Sequence, residues 1–231
     1  MSILKQFIAT CCCLIAVAAH AATIHGPTPY VDLTDTPDGV FSVGPNDSLH
    51  VENFEDPNGP WEECFSIDVG ERIGPKFVSG DNIPVTDSVD SDDGAIDGDG
   101  TMGSSWFANS RSLTISFDSP TKAAGFVFTD TDTSATMISI SAYGVDGAEL
   151  IRQDFDTSFV DDVFTGTTVD DRFFGITAMG SDLIAKVKVA IDRGTGIEID
   201  HVQFIKTVPE PSALALVGIG LLGLGGLRRR R

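Results

Sequence analysis

The sequence predicts an all-β fold, an antiparallel β-sandwich of jelly-roll type, flanked by an N-terminal signal peptide and a C-terminal transmembrane helix. Two observations carry the fold. Apolar and polar residues alternate along several short runs, and turn-forming residues separate those runs. Between the two ends no stretch shows a capped helical period.

Ser112–Asp118 reads Ser-Leu-Thr-Ile-Ser-Phe-Asp, a strict alternation. Lys186–Val189 and Ile197–Phe204 alternate too, and Thr136–Tyr143 does so with one shift at Met137-Ile138. A period of two with one apolar face describes half-buried antiparallel strands. Leu49–Val51, Gly125–Phe128, Glu149–Ile151 and Phe173–Ile176 read as further strands. Asp56–Gly59, Val145–Gly147 and Arg193–Gly196 are turn chemistry between them. Alternation in the last run puts His201 opposite the apolar face, as a surface residue. Ser79–Gly103 breaks the pattern. It is dominated by Asp, Gly and Ser, and reads as a long surface loop.

The chain carries 34 acidic and 15 basic residues, a formal charge of −19. Between residues 22 and 207 the imbalance grows to 33 against 10, or −23. Such a surface repels phosphate backbones, so nucleic acid is not an expected partner. It attracts divalent cations. Asp90, Asp92, Asp93, Asp97 and Asp99 offer hard oxygen ligands about two apart with glycines between, which suits Ca²⁺. The spacing is not that of an EF-hand, and a solvated acidic loop is the competing reading.

Cys11, Cys12 and Cys13 lie in the apolar N-terminal run, leaving Cys64 as the one cysteine of the remaining chain. A single cysteine cannot staple a domain, so the core must rest on apolar packing, with Cys64 as a buried structural thiol and intermolecular pairing as the competing reading. Catalytic patterns are weak. His25, His50 and His201 are separated, and no Gly-x-Ser-x-Gly elbow is present. Asp130-Thr131-Asp132-Thr133 has the spacing of a phosphotransferase two-aspartate motif. That chemistry sits on a parallel sheet flanked by helices, and no helices follow here.

Both ends read as processing segments. Lys5, an apolar run from Phe7 to Ala19, and Ala19-His20-Ala21 form a signal peptide over residues 1–21, cut before Ala22. At the other end Val208-Pro209-Glu210-Pro211 precedes an uncharged stretch, Ser212–Leu227, and Arg228, Arg229, Arg230 and Arg231 close the sequence. As a helix that stretch reaches about 24 Å, somewhat short of a bilayer core of about 30 Å. Snorkelling arginines make up part of the difference. A basic flank stays cytoplasmic, which places residues 22–207 outside the inner membrane.

The order Pro-Glu-Pro, Gly-rich apolar helix, terminal basic cluster over residues 208–231 resembles the PEP-CTERM sorting signal. The resemblance implies recognition by an exosortase, which removes the tail, and a host that makes exopolysaccharide. Asn53–Asp56, Gly125–Phe128 and Ile197–Phe204 are also similar to domains found before such tails. In outline the domain is similar to jelly-roll carbohydrate-binding modules. That likeness implies a structural calcium held by an early-strand Glu and a last-strand Asp, places matched here by Glu52 or Glu55 and Asp200. The function expected is a non-enzymatic envelope or matrix protein associated with polysaccharide. The alternative is a glycan lyase or hydrolase on the same scaffold.

Overall fold

The computed structural model describes residues 21–54, 64–73, 104–131, 133–160 and 170–207. They form β1 (Ala22–Pro29), β2 (Asp47–Glu52), β3 (Phe65–Ile67), β4 (Glu71–Ile73), β5 (Ser105–Ala108) and β6 (Ser112–Thr121). The second half adds β7 (Ala123–Thr131), β8 (Met137–Gly144), β9 (Glu149–Asp156), β10 (Arg172–Ala178), β11 (Ile184–Ile191) and β12 (Ile197–Thr207). Every pairing among them is antiparallel. One sheet has the order β1-β10-β7-β12-β5-β4, with β2 also paired to β12; the other runs β3-β6-β11-β8-β9. The protein is a two-sheet β-sandwich, as the alternating runs predict.

The eight predicted runs fall in β2 and β6 to β12. Four strands, β1, β3, β4 and β5, were not foreseen. Three of these have only three or four residues, too short to display a period. In β1, Gly26, Pro27 and Pro29 mask the strand signal, and the register shifts between His25 and Thr28.

The main core lies between the sheets. Phe126, Phe128 and Phe174 from the larger sheet meet Leu113, Ile115, Ile138, Ile140, Val187 and Val189 from the smaller one. Phe126 and Phe174 are stacked with centroids 5.7 Å apart. A second, smaller core covers the outer face of the larger sheet, where Tyr30 and Val40 pack on Val127 and Phe173. The paired glycines Gly125 and Gly175 make room for it. A Cβ at Gly125 would come within 2.7 Å of Phe173 Cζ, and one at Gly175 within 2.8 Å of Phe173 Cε1.

Two residues depart from expectation. His201 is fully buried, not on the surface. The register of β12 against β7 shifts between Asp200 and Gln203, and His201 takes φ +42°. An extra residue in a strand breaks the period of two and re-aims the side chain beside it, so alternation misplaces it. Cys64 is half-buried rather than buried, with Lys206 Nζ 3.3 Å from its sulfur.

Candidate functional site

Both predicted processing junctions abut the larger sheet. Ala22, the first residue of β1, is buried and faces Ala178 across the ladder. The Met179 amide donates to the Ala21 carbonyl at 2.8 Å, so pairing continues past the proposed cut. At the other junction β12 is the most heavily paired strand, bonded to β7, β2 and β5. Its last residue, Thr207, still faces Asp47.

These two points occupy the same end of the sheet. Ala178, opposite Ala22, donates from its amide to the Lys122 carbonyl at 2.9 Å. Next to Lys122, Thr121 Oγ1 donates to the Ile205 carbonyl at 2.8 Å, two residues before β12 ends. A continuous line of bonded residues therefore joins the start of β1 to the end of β12.

Residues 207–231 match the family description "PEP-CTERM protein-sorting motif". The chain carries a PEP-CTERM sorting motif. A motif of this kind implies an exported, membrane-anchored precursor processed by an exosortase. The motif residues Val208, Pro209, Glu210, Pro211 and Arg228 to Arg231, and the signal peptide, lie outside the described residues, apart from Ala21. Among the described residues no helix is long and apolar enough to cross a membrane.

Comparison with curated protein sequences gives no match. Among solved structures the chain is similar to a cleaved adhesin domain of Lys-gingipain from Porphyromonas gingivalis. The identity is 12%, the TM-score 0.38, and the match covers 69% of this chain and 98% of that one. A lectin binding domain of lectinolysin, solved with Lewis b, is 12% identical with a TM-score of 0.32, covering 68% and 99%. An α-1,3-glucanase catalytic domain with tetrasaccharides is 15% identical at 0.34, covering 68% of this chain and 27% of that one. Scores at this level carry no functional inference.

The predicted calcium ligands divide. Glu55, Asp90, Asp92 and Asp97 lie outside the described residues. Glu52 and Asp200 are both described, and β2 does lie beside β12. Yet Glu52 faces Val202, a main-core residue, while Asp200 faces Val127 of the second core. The register thus assigns the two carboxylates to opposite faces. Glu52 Oε1 accepts from the Phe54 amide at 2.8 Å, and Asp200 Oδ1 from the His201 amide at 2.7 Å. Among the described residues no group of three or more His, Cys, Asp or Glu is placed to hold a metal.

The histidines sit in three different settings. His25 Nε2 lies 3.1 Å from Thr177 Oγ1, and burial lowers its pKa. His50 packs 4.8 Å from the Phe204 ring; burial lowers its pKa, with nearby Lys206 adding to the shift. His201 Nδ1 meets the Tyr30 hydroxyl at 3.1 Å, and that hydroxyl accepts from Gln203 Nε2 at 3.1 Å. Thr36 Oγ1 donates to Gln203 Oε1 at 3.3 Å. This chain of bonds ties the 30–40 segment to β12. Tyr30 escapes sequence reasoning because it lies in no alternating run.

Asp130 is buried at the end of β7, which pairs antiparallel with both neighbours, unlike the parallel setting of the phosphotransferase motif. Trp106 is buried, its Nε1 donating to the Val69 carbonyl at 2.9 Å. Trp61 lies outside the described residues.

Proposed function

We propose that the protein is a non-enzymatic cell-envelope or matrix protein, associated with exopolysaccharide and, after its signal peptide is removed, held by one end of its sandwich at the inner membrane until the C-terminal segment is cut. One observation carries this reading: the start of β1 and the end of β12 share an end of the larger sheet. β12 runs to Thr207, where the sorting motif begins, so the C-terminal anchor leaves the sandwich at that end and the freed start of β1 docks beside it.

The same geometry orders the processing steps. A peptidase needs its scissile bond extended and accessible. With β1 docked, Ala22 is 2% exposed and the Ala21 carbonyl is bonded to Met179. The signal cut therefore precedes docking of β1, which must await β10 and Met179, about 150 residues later in the chain. The exosortase cut lies beyond Thr207, the last residue of β12. Ca²⁺ is the proposed structural cation, with ligands from Asp90, Asp92 and Asp97 or from Glu55 with Asp200.

The test is to replace Arg228 to Arg231 with serine in the host and follow fractionation and tail removal. Loss of the basic flank should weaken inner-membrane retention of the precursor and reduce processing. Unchanged localisation and processing would contradict the proposal.

A further inference from the structure

The outer face of the smaller sheet is uncovered in the described structure, and its centre is polar. β6, β11 and β8 alternate, with apolar residues turned into the sandwich; Thr114, Ser116, Lys186, Lys188 and Tyr143 are turned out at the centre, with Ala190 beside them and Asp118 and Met137 towards the strand ends. At the centre, Lys186 sits between Ser116 and Tyr143, and Lys188 between Thr114 and Ser141. The two lysines are about 7 Å apart along the strand. That is within a Debye length of about 8 Å at physiological salt, so they repel each other. Neither makes an ion pair or a side-chain hydrogen bond among the described residues. The nearby Arg152, by contrast, pairs with Asp154 at 3.4 Å. In a domain with 33 carboxylates and 10 cations, two adjacent lysines without an acidic partner stand out.

We propose that this face binds a carboxylate-bearing polysaccharide, laid across β6, β11 and β8. The proposal rests on the polysaccharide-associated reading above and assigns it a surface and a ligand charge. Lys186 and Lys188 complement an anion at the centre of the face, while its carboxylates lie at the margins: Asp118 near the end of β6, and Asp154, paired with Arg152, on β9. Protein interfaces are depleted in Lys and Ser and anchored on aromatic and apolar groups. Here the centre is hydroxyls and lysines around one half-buried aromatic, Tyr143, so a protein partner fits poorly. A polyuronate supplies carboxylates to the ammonium groups, hydroxyls to Thr114 and Ser116, and a ring face to Tyr143. Its lower charge density suits an acidic protein better than a phosphate polymer does.

The experiment measures binding of the full-length chain in detergent micelles to immobilised alginate and to neutral dextran, at low and physiological salt. Lys186→Gln with Lys188→Gln is compared with Arg111→Gln plus Arg193→Gln, which removes two charges elsewhere. Lys186→Gln alone, at an exposed position, guards against misfolding of the double variant. Alginate binding should weaken with salt, fall roughly tenfold in the lysine double variant and less in the single one, and stay unchanged in the arginine control. Full binding by the double variant, or equal binding to dextran, would overturn the assignment while leaving polysaccharide association standing. Binding to neither polymer would count against both. Self-association abolished by the double variant would identify a second copy as the occupant and overturn the proposal.

Discussion

Every residue of β7 is buried, whereas β11 alternates between buried residues and exposed or half-buried ones. Both are interior strands of their sheets. The difference lies in what covers the outer face. Over β7 and β10 the 30–41 segment packs Tyr30, Val40 and Phe41 on Phe173, with the Tyr30 ring 6.0 Å from Phe173. Over β11, Lys186 and Lys188 meet no described cover. A strand buried on both faces must be apolar or small at nearly every position. Ala-Ala-Gly-Phe-Val-Phe has that composition, while Lys-Val-Lys-Val cannot be buried twice. One face is thus structural and the other is available for contact.

The sharpest way to break this contrast is to truncate one residue from each face. Phe173→Ala removes the centre of the second core and should cost about 3–5 kcal/mol. Ser116→Ala on the open face should change stability by less than about 0.5 kcal/mol. Urea midpoints of the two variants test this, and similar midpoints would mean that the 30–41 segment contributes little.

A second test concerns the acidic surplus shared by both regions. Calcium bound only by the folded form would stabilise it by about 2.7 kcal/mol at a hundredfold excess over its dissociation constant. The melting temperature should rise with millimolar calcium and fall with chelator. Sodium chloride at matched ionic strength should do much less, because screening is not coordination. Asp200→Asn removes the response if Glu55 and Asp200 hold the ion; Asp92→Asn with Asp97→Asn removes it if the loop does. Identical melting curves in calcium, chelator and sodium chloride would exclude both versions.

The smallest effect separates the edges of the larger sheet from its centre. His25 and His50 are held below the ordinary histidine pKa by burial. The unfolded chain binds protons near pH 6.5 that the folded chain does not. Their contribution is therefore fully present above pH 6.5 and is lost as pH falls from there through the lower folded values. Urea midpoints should decline over that window, and His50→Gln should flatten the decline. A slope unaffected by His50→Gln would place the effect elsewhere.

Much of the fold was legible because alternation is a local signal. Ser112–Asp118 and Lys186–Val189 state their buried face directly. His201 was misplaced by reading one alternation through the whole run: the apolar phase changes from Ile197 and Ile199 to Val202 and Phe204 across Asp200-His201, where the register against β7 shifts. The opposition of Glu52 and Asp200 was not legible, since it depends on which residues face Val202 and Val127. The sorting motif was legible in full because it is linear: order, spacing and position at the end of the sequence define it. The shared end of β1 and β12 was not legible, because β1 has no strand signal and its partner β10 is about 150 residues away.

The central claim is that one end of the sandwich carries both processing junctions and that both are used. Intact-mass and terminal-peptide mass spectrometry of protein released from cells tests it most directly. The released protein should begin at Ala22 and lack Arg228 to Arg231. Released protein that begins at Met1, or that retains Arg228 to Arg231, would contradict the account.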